Sequence, residues 1–184
     1  MVANQITKGA VALFPFDTLL GLTSIISKEH CAKIHAIKQR ANQPFIVILP
    51  NQAELEQWVQ PLTAKQQHII ATYWPGPITF LFNKQPHVPD YITAGKQTIG
   101  IRICDYLPVN LLMQKVQQPL LSTSANLHQE PVAKTIADCS KPILNQVDIT
   151  FSGCGAYYDQ PSTIVDLTTT QPKLIREGVV DFEY

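Results

Sequence analysis

The chain has 184 residues, with 14 lysines and arginines balancing 14 aspartates and glutamates. Its 45 % hydrophobic and 15 % charged content describes a folded globule and excludes a disordered chain. A net charge of zero excludes a global electrostatic footprint for nucleic acid, leaving only a local patch.

No apolar run approaches the ~20 residues that span a bilayer, and the N-terminus has no secretory apolar segment. Cys31, Cys104, Cys139 and Cys154 are irregularly spaced without a Cys-x-x-Cys pair. Free thiols in a reducing, cytoplasmic setting are therefore expected.

In chain order, residues 2–9 read as a short amphipathic helix stopped at Gly9. Ala10–Phe14 is a buried strand that ends in Pro15, Phe16, Asp17, Thr18 and Gly21. Ser27 caps a helix over 28–39, with Cys31, Ile34 and Ile37 on one face. Phe45–Leu49 is a second buried strand. Asn51 with Glu54, and Thr63 with Gln66, are capping-box pairs opening helices that run to Trp58 and Trp74. Pro75-Gly76-Pro77 breaks the second, and Ile78–Phe82 is a strand. Gln85–Gly95 is expected to be a surface loop, Thr98–Ile103 a strand and Val109–Val116 a helix. Leu120 and Leu121 end a buried strand that runs into Ser122, Thr123, Ser124 and Asn126. Residues 133–145 read as helical, and Asp148–Phe151, Ser162–Leu167 and Lys173–Ile175 as closing strands. Strands alternate with helices, no repeat or linker interrupts them, and a single α/β or α+β domain over 1–184 follows.

Several groups carry chemistry. Ser122, Ser124 and Asn126 offer donors and acceptors on short stems at a strand's carboxyl end, where open α/β sheets bind ligands; the same residues also suit an ST-turn. Only three of the basic residues are arginines: Arg40, Arg102 and Arg176. Guanidinium grips phosphate or carboxylate bidentately, although each could equally hold a structural ion pair. Lys38 and Arg40 diverge on a helix, so a shared polyphosphate target requires the helix to end there. Thr98 and Arg102 share one strand face, and Arg102 needs an anion, either a bound one or an internal carboxylate such as Asp105. Arg176 faces either a phosphate or its neighbour Glu177, with Gly178 allowing a positive φ beyond it. Asp17 and Thr18 suit a ligand, a cation or an Asx-turn, and Ser162 a ligand or a strand start. His30 and His35 are five apart, the wrong offset for one helical face, and His68, His87 and His128 lack ligand partners in register, so no metal site is read. Neither a nucleophile elbow nor a Walker or dinucleotide loop is present.

Taken in order, Pro15-x-Asp17-Thr18-x-x-Gly21-Leu22, Lys38-x-Arg40, Trp74-Pro75-Gly76-Pro77-Ile78-Thr79, Thr98-Ile99-Gly100-Ile101-Arg102, Ser122-Thr123-Ser124-Ala125-Asn126, Ser162-Thr163-Ile164-Val165-Asp166 and Arg176-Glu177-Gly178 resemble the YrdC/TsaC family of threonylcarbamoyl-AMP synthases, short single-domain type. The similarity runs from about Gly9 to Val180. It implies a YrdC/RibB-like twisted, open, mixed sheet with surrounding helices and a concave ligand cavity. It also implies a nucleotidyltransferase that converts L-threonine, bicarbonate and ATP, with Mg²⁺ accompanying the ATP, into threonylcarbamoyl-AMP and pyrophosphate. Partner proteins would then use that product to modify tRNA.

By the same resemblance Lys38 and Arg40 bind the phosphates and stabilise the leaving pyrophosphate. Thr98, Ser122, Ser124, Asn126 and Arg176 hold the nucleotide, while Arg102, Ser162, Asp17 and Thr18 hold the threonine. Departures fall on Phe16 and Leu20 in the first loop, and on Ala41, Gln43 and His128-Gln129. They leave the nucleotide set intact and alter the amino-acid pocket. The alternatives are a divergent relative binding double-stranded RNA or nucleotide without synthase activity, and an adenylate-forming enzyme for another carbamate.

Overall fold

The computed structural model describes residues 2–40, 42–127, 129–152, 158 and 160–184. Ala41, His128 and Cys154 lie outside the described residues.

Period-two burial builds the sheet. Leu13, Val47, Leu49, Ile99, Ile101 and Leu121 fall in one apolar cluster. Their strand neighbours Ala12, Phe14, Ile48 and Leu120 fall in the other. Both faces are therefore covered over much of the sheet, which is why these strands read as continuous apolar runs. The strands are β1 (Ala12–Pro15), β2 (Leu20–Ile25), β3 (Ile46–Ile48), β4 (Ile78–Asn83), β5 (Thr98–Arg102), β6 (Leu120–Ser124), β7 (Ile149–Thr150), β8 (Thr163–Asp166) and β9 (Lys173–Arg176). They form one mixed sheet in the order β7-β1-β2-β6-β3-β5-β4-β8-β9. The pairs β1–β7, β3–β5 and β4–β8 are parallel and the others antiparallel.

The first cluster packs under α2 (Lys28–Ile37) and α3 (Ala64–Tyr73), through Ile34, Ile37, Ile69 and Ile70. On the opposite face, α1 (Val2–Thr7) and α5 (Leu107–Val116) contribute Ile6, Leu112 and Met113 to the second cluster. That second face is open over the middle strands, where Gly100, Arg102, Ser122 and Ser124 border a cavity.

Capping follows the sequence. Ser27 Oγ accepts from His30 N at 3.1 Å, and Thr63 forms a complete capping box with Gln66. Asn51 caps through Ala53 N at 2.9 Å, but the element it opens is a 3₁₀ stretch, Gln52–Gln57. The expected loop over 85–95 contains a four-residue helix, α4 (Asp90–Thr93). The helix expected over 133–145 is broken into a 3₁₀ turn, Ile136–Asp138, and α6 (Lys141–Leu144). The β2 strand was not expected, because Gly21, Thr23 and Ser24 break its apolar run. Its buried hydroxyls are satisfied instead: Thr23 Oγ1 donates to Leu121 O at 2.8 Å and Ser24 Oγ to Ala10 O at 2.9 Å.

β9 is the edge strand beyond β8 and is exposed along its length. The turn after it passes close to the start of β8. An added Cβ at Gly178 would stand 2.3 Å from Pro161 O and 2.5 Å from Thr163 N. Close backbone approach therefore fixes this glycine, and positive φ, found only at Gly9 and Gly95 among the described glycines, does not. Gly178→Ala should cost roughly 1–3 kcal/mol by overpacking, read as a lower urea midpoint at unchanged slope. An unchanged midpoint would mean the segment moves freely.

Candidate active site

A cavity of about 360 Å³ opens on the second sheet face. Thr18, Arg40, Thr98, Arg102, Ser122, Ser124, Ser162 and Arg176 all line it. Eight of the eleven residues singled out from sequence thus meet in one place. Asp17, Lys38 and Asn126 stand behind the wall.

Arg102 ends β5 and is 4 % exposed. Its Nε donates to Gly76 O at 3.2 Å and its Nη1 to Thr18 Oγ1 at 3.0 Å. Nη2 forms a buried ion pair with Asp17 Oδ1. Asp17, rather than the nearby but exposed Asp105, is the internal carboxylate. It also joins burial in raising the pKa of the Cys104 thiol, which reaches about 12. Cys31 and Cys139 are likewise buried, free thiols.

The helix carrying Lys38 ends as the basic pair requires. Lys38 is the C-cap of α2, and Gln39 is left-handed with φ of 48°. The chain reverses there, sending the two cations to different targets. Lys38 is buried and donates to Ser124 O, to Asn126 O at 2.6 Å and to Asn126 Oδ1 at 3.1 Å. Ser124 Oγ closes the same turn on Asn126 Oδ1 at 2.6 Å. These acceptors are neutral, so desolvation first, and then the Arg40 charge, lowers the Lys38 pKa to about 7.

Arg40 enters the cavity with its guanidinium 5.3 Å from the centroid of the Phe45 ring. His35 packs against the same ring, with centroids 4.7 Å apart. The Arg40 Nε and Nη2 are buried, and among the described residues no acceptor reaches them. Burial lowers the Arg40 pKa to about 10, and burial with the two neighbouring cations lowers that of His35.

Arg176 donates from Nε and Nη2 to Ser162 O, at 3.1 and 2.6 Å, and from Nη2 to Ser162 Oγ at 3.0 Å. No ion pair joins it to Glu177 among the described residues. Although Arg176 lies on the exposed edge strand, partial desolvation of its side chain at the cavity wall, and then the Arg102 charge, lower its pKa. The Ser162 hydroxyl is shared with Thr79 Oγ1 at 2.9 Å.

Among the described residues the wall contains no aspartate or glutamate. Among the described residues no group of three His, Cys, Asp or Glu side chains could hold a metal ion, and no helix is long and apolar enough to cross a membrane. Sequence reading passed over three lining residues. Thr79 lay inside a quoted motif, and Phe45 was read only as strand. Lys96 was signalled by period two, since Lys96, Thr98, Gly100 and Arg102 alternate and all line the cavity.

The fold and this arginine-lined hollow belong to a recognisable class. The sequence profile described as telomere recombination, that of Sua5, YciO and YrdC, matches residues 4–178. The chain is a member of the Sua5/YciO/YrdC family. It is 29 % identical over 171 residues to the threonylcarbamoyl-AMP synthase of Cellvibrio japonicus, covering 92 % of this chain and 90 % of that one. It is 31 % identical over 184 residues to a Methanocaldococcus jannaschii protein bearing the same name provisionally, covering 98 % and 85 %. The crystal structure of Pyrococcus abyssi Sua5 complexed with L-threonine superposes with a TM-score of 0.90 at 24 % identity. That alignment covers 96 % of this chain but 53 % of Sua5, so this chain spans about half the length of that relative.

Two outcomes follow from the geometry. Asp17→Ala strands the Arg102 charge, and about 3–5 kcal/mol of stability should be lost in chemical denaturation; a loss under about 1 kcal/mol would show that the pair is not the main tie here. An anion placed on Arg40 offsets the repulsion that helps lower the Lys38 pKa, raising it from about 7. Sulfate, which carries the same charge throughout this range, should therefore bind with proton uptake at pH 8, above the Lys38 pKa, and with less at pH 6, below it. Calorimetry in buffers of different ionisation enthalpy measures this, and zero uptake at pH 8 would exclude the coupling.

Proposed function

We propose that the cavity makes threonylcarbamoyl-AMP and pyrophosphate from L-threonine, bicarbonate and ATP. One observation carries the reading: the buried Nε and Nη2 of Arg40, which no acceptor reaches among the described residues, in a wall whose described residues include cations and no carboxylate. Such a site fits a polyanion, and leaving Arg40 unanswered is costly unless a ligand supplies the counter-charge. The relatives named as threonylcarbamoyl-AMP synthases support the same reading.

The threonine amine forms a C–N bond to the carbon of bicarbonate, and one C–O bond breaks as water is lost, giving an N-carboxylated amino acid. One of its carbamate oxygens attacks the ATP α-phosphorus as the bond from that phosphorus to the bridging oxygen breaks, and the electron pair leaves with pyrophosphate. The chain need supply no nucleophile; its task is positioning and charge stabilisation. Arg40 would take the charge developing on pyrophosphate. Arg176, with Thr98, Ser122 and Ser124, would hold the nucleotide. Lys38 and Asn126 would act by fixing the turn that presents Ser124. Arg102 and Ser162 would hold the amino acid, with Asp17 and Thr18 orienting Arg102.

Mg²⁺ is expected with ATP, and among the described residues the wall offers it no carboxylate. Its ligands would be phosphate and water oxygens, and no step is assigned to it. The carbamoyl group would then pass, through partner proteins, to an adenosine of tRNA in the cytoplasm.

Phe16, Leu19 and Leu20 make the hairpin end of the cavity hydrocarbon. A hydrocarbon wall discriminates weakly, by ~10²-fold, against an isostere that differs by one hydroxyl. The identity of the amino acid is therefore tested separately from the reaction.

Pyrophosphate release from ATP with Mg²⁺ and bicarbonate should depend on L-threonine. Arg40→Ala should lower it by about 10²–10³-fold without changing thermal unfolding. Unchanged turnover in that variant overturns the proposal. Release driven by another amino acid keeps the chemistry and moves the substrate, and ATP binding without release favours a nucleotide-binding relative.

A further inference from the structure

Among the described residues, Lys96 is the one cation of the wall with no part in the set above. It lies on the reversal between α4 and β5, where Ala94 and Gly95 are both left-handed, with φ of 55° and 78°. Nothing crowds a Cβ at Gly95, so conformation alone favours glycine there. Ala94 carries a Cβ into the same region, a backbone state that surrounding structure must enforce.

That enforcement is present on every side. Gly95 N donates to Asp90 O and Lys96 N to Thr93 O, each at 3.1 Å, and Lys84 N donates to Gln97 O at 3.0 Å. The nearly buried Lys84 ammonium bonds Val88 O at 2.9 Å and Asp90 Oδ1 at 2.5 Å, locking α4 from below. Phe45 N donates to Ile92 O at 2.9 Å, tying the turn to the residue whose ring lies beneath Arg40. Two loops thus bring Arg40 and Lys96 to the lining of the same cavity. Among the described residues the ion pairs use Lys33, Lys84 and Arg102, and none uses Lys96.

We infer that Lys96 is a phosphate-contacting residue that grips, together with Arg40, the polyphosphate end of the ligand. The assignment rests on the nucleotide reading above and adds a contact to it. Lysine suits this position because a mobile ammonium can follow the phosphate as it changes from triphosphate to departing pyrophosphate.

Calorimetric titration of the wild-type chain, Lys96→Met and Lys96→Arg with inorganic pyrophosphate, ATP and adenosine tests it. Lys96→Met should weaken pyrophosphate and ATP about tenfold, as expected for one charge-assisted contact, and change adenosine less than about twofold. Lys96→Arg should recover most of the loss. Because Lys96 is exposed, thermal unfolding should not move. Equal pyrophosphate affinity in wild type and Lys96→Met overturns the inference, as does an equal loss for adenosine or no pyrophosphate binding by the wild-type chain. If pyrophosphate binds through Lys96 but no amino acid drives turnover, the reaction assignment fails while the contact stands.

Discussion

The Asp17–Arg102 pair is the interaction about which the cavity is arranged. Asp17 comes from the β1–β2 hairpin and Arg102 from the end of β5, and Arg102 also holds Gly76 in the break before β4. Three distant stretches are thereby fixed at one buried point. Pairing matters more than attraction here, because an unpaired charge at this depth would be far more costly than the pair is favourable. The pair also sets a division of labour. Arg102 is answered within the fold, while Arg40 and Arg176 have no carboxylate partner among the described residues.

That imbalance explains the electrostatics of the wall. Lys38, Arg40, His35 and Arg176 are all pushed toward lower pKa, in each case first by burial and then, for all but Arg40, by neighbouring cations. A protein with equal numbers of acids and bases has concentrated one sign in a single hollow. Gathering like charges in one hollow costs free energy that the remaining core must offset.

Much of the fold was legible because local signals agree with packing. Thr63–Gln66, Ser27 and the apolar runs at Phe45 and Ile78 each name an element that forms. β2 was hidden because its polar residues are satisfied by partners elsewhere in the chain, Thr23 by Leu121, and no local pattern carries that information. The same limit applied at the site. Residue types and strand phase brought Thr98, Arg102 and Ser122 to one wall. The partner of Arg102 could not be read, since Asp105 is close in sequence and Asp17 lies 85 positions away. Lys38 was legible as a cation at a helix end, whereas its three acceptors near Ser124 and Asn126 depend on where β6 delivers its turn.

The place of Arg176 on the outermost strand has a mechanical consequence. β9 is held along one side only, by β8, and its residues are open to solvent. Arg40, by contrast, rests on Phe45 beside the central strand β3. A ligand touching both arginines would span the sheet from rim to centre as a non-covalent crosslink. Occupancy would then be felt as slower opening of the rim, where local unfolding is otherwise cheapest. Amide exchange along Lys173–Arg176 would make the least stable strand the gauge of whether the cavity is filled.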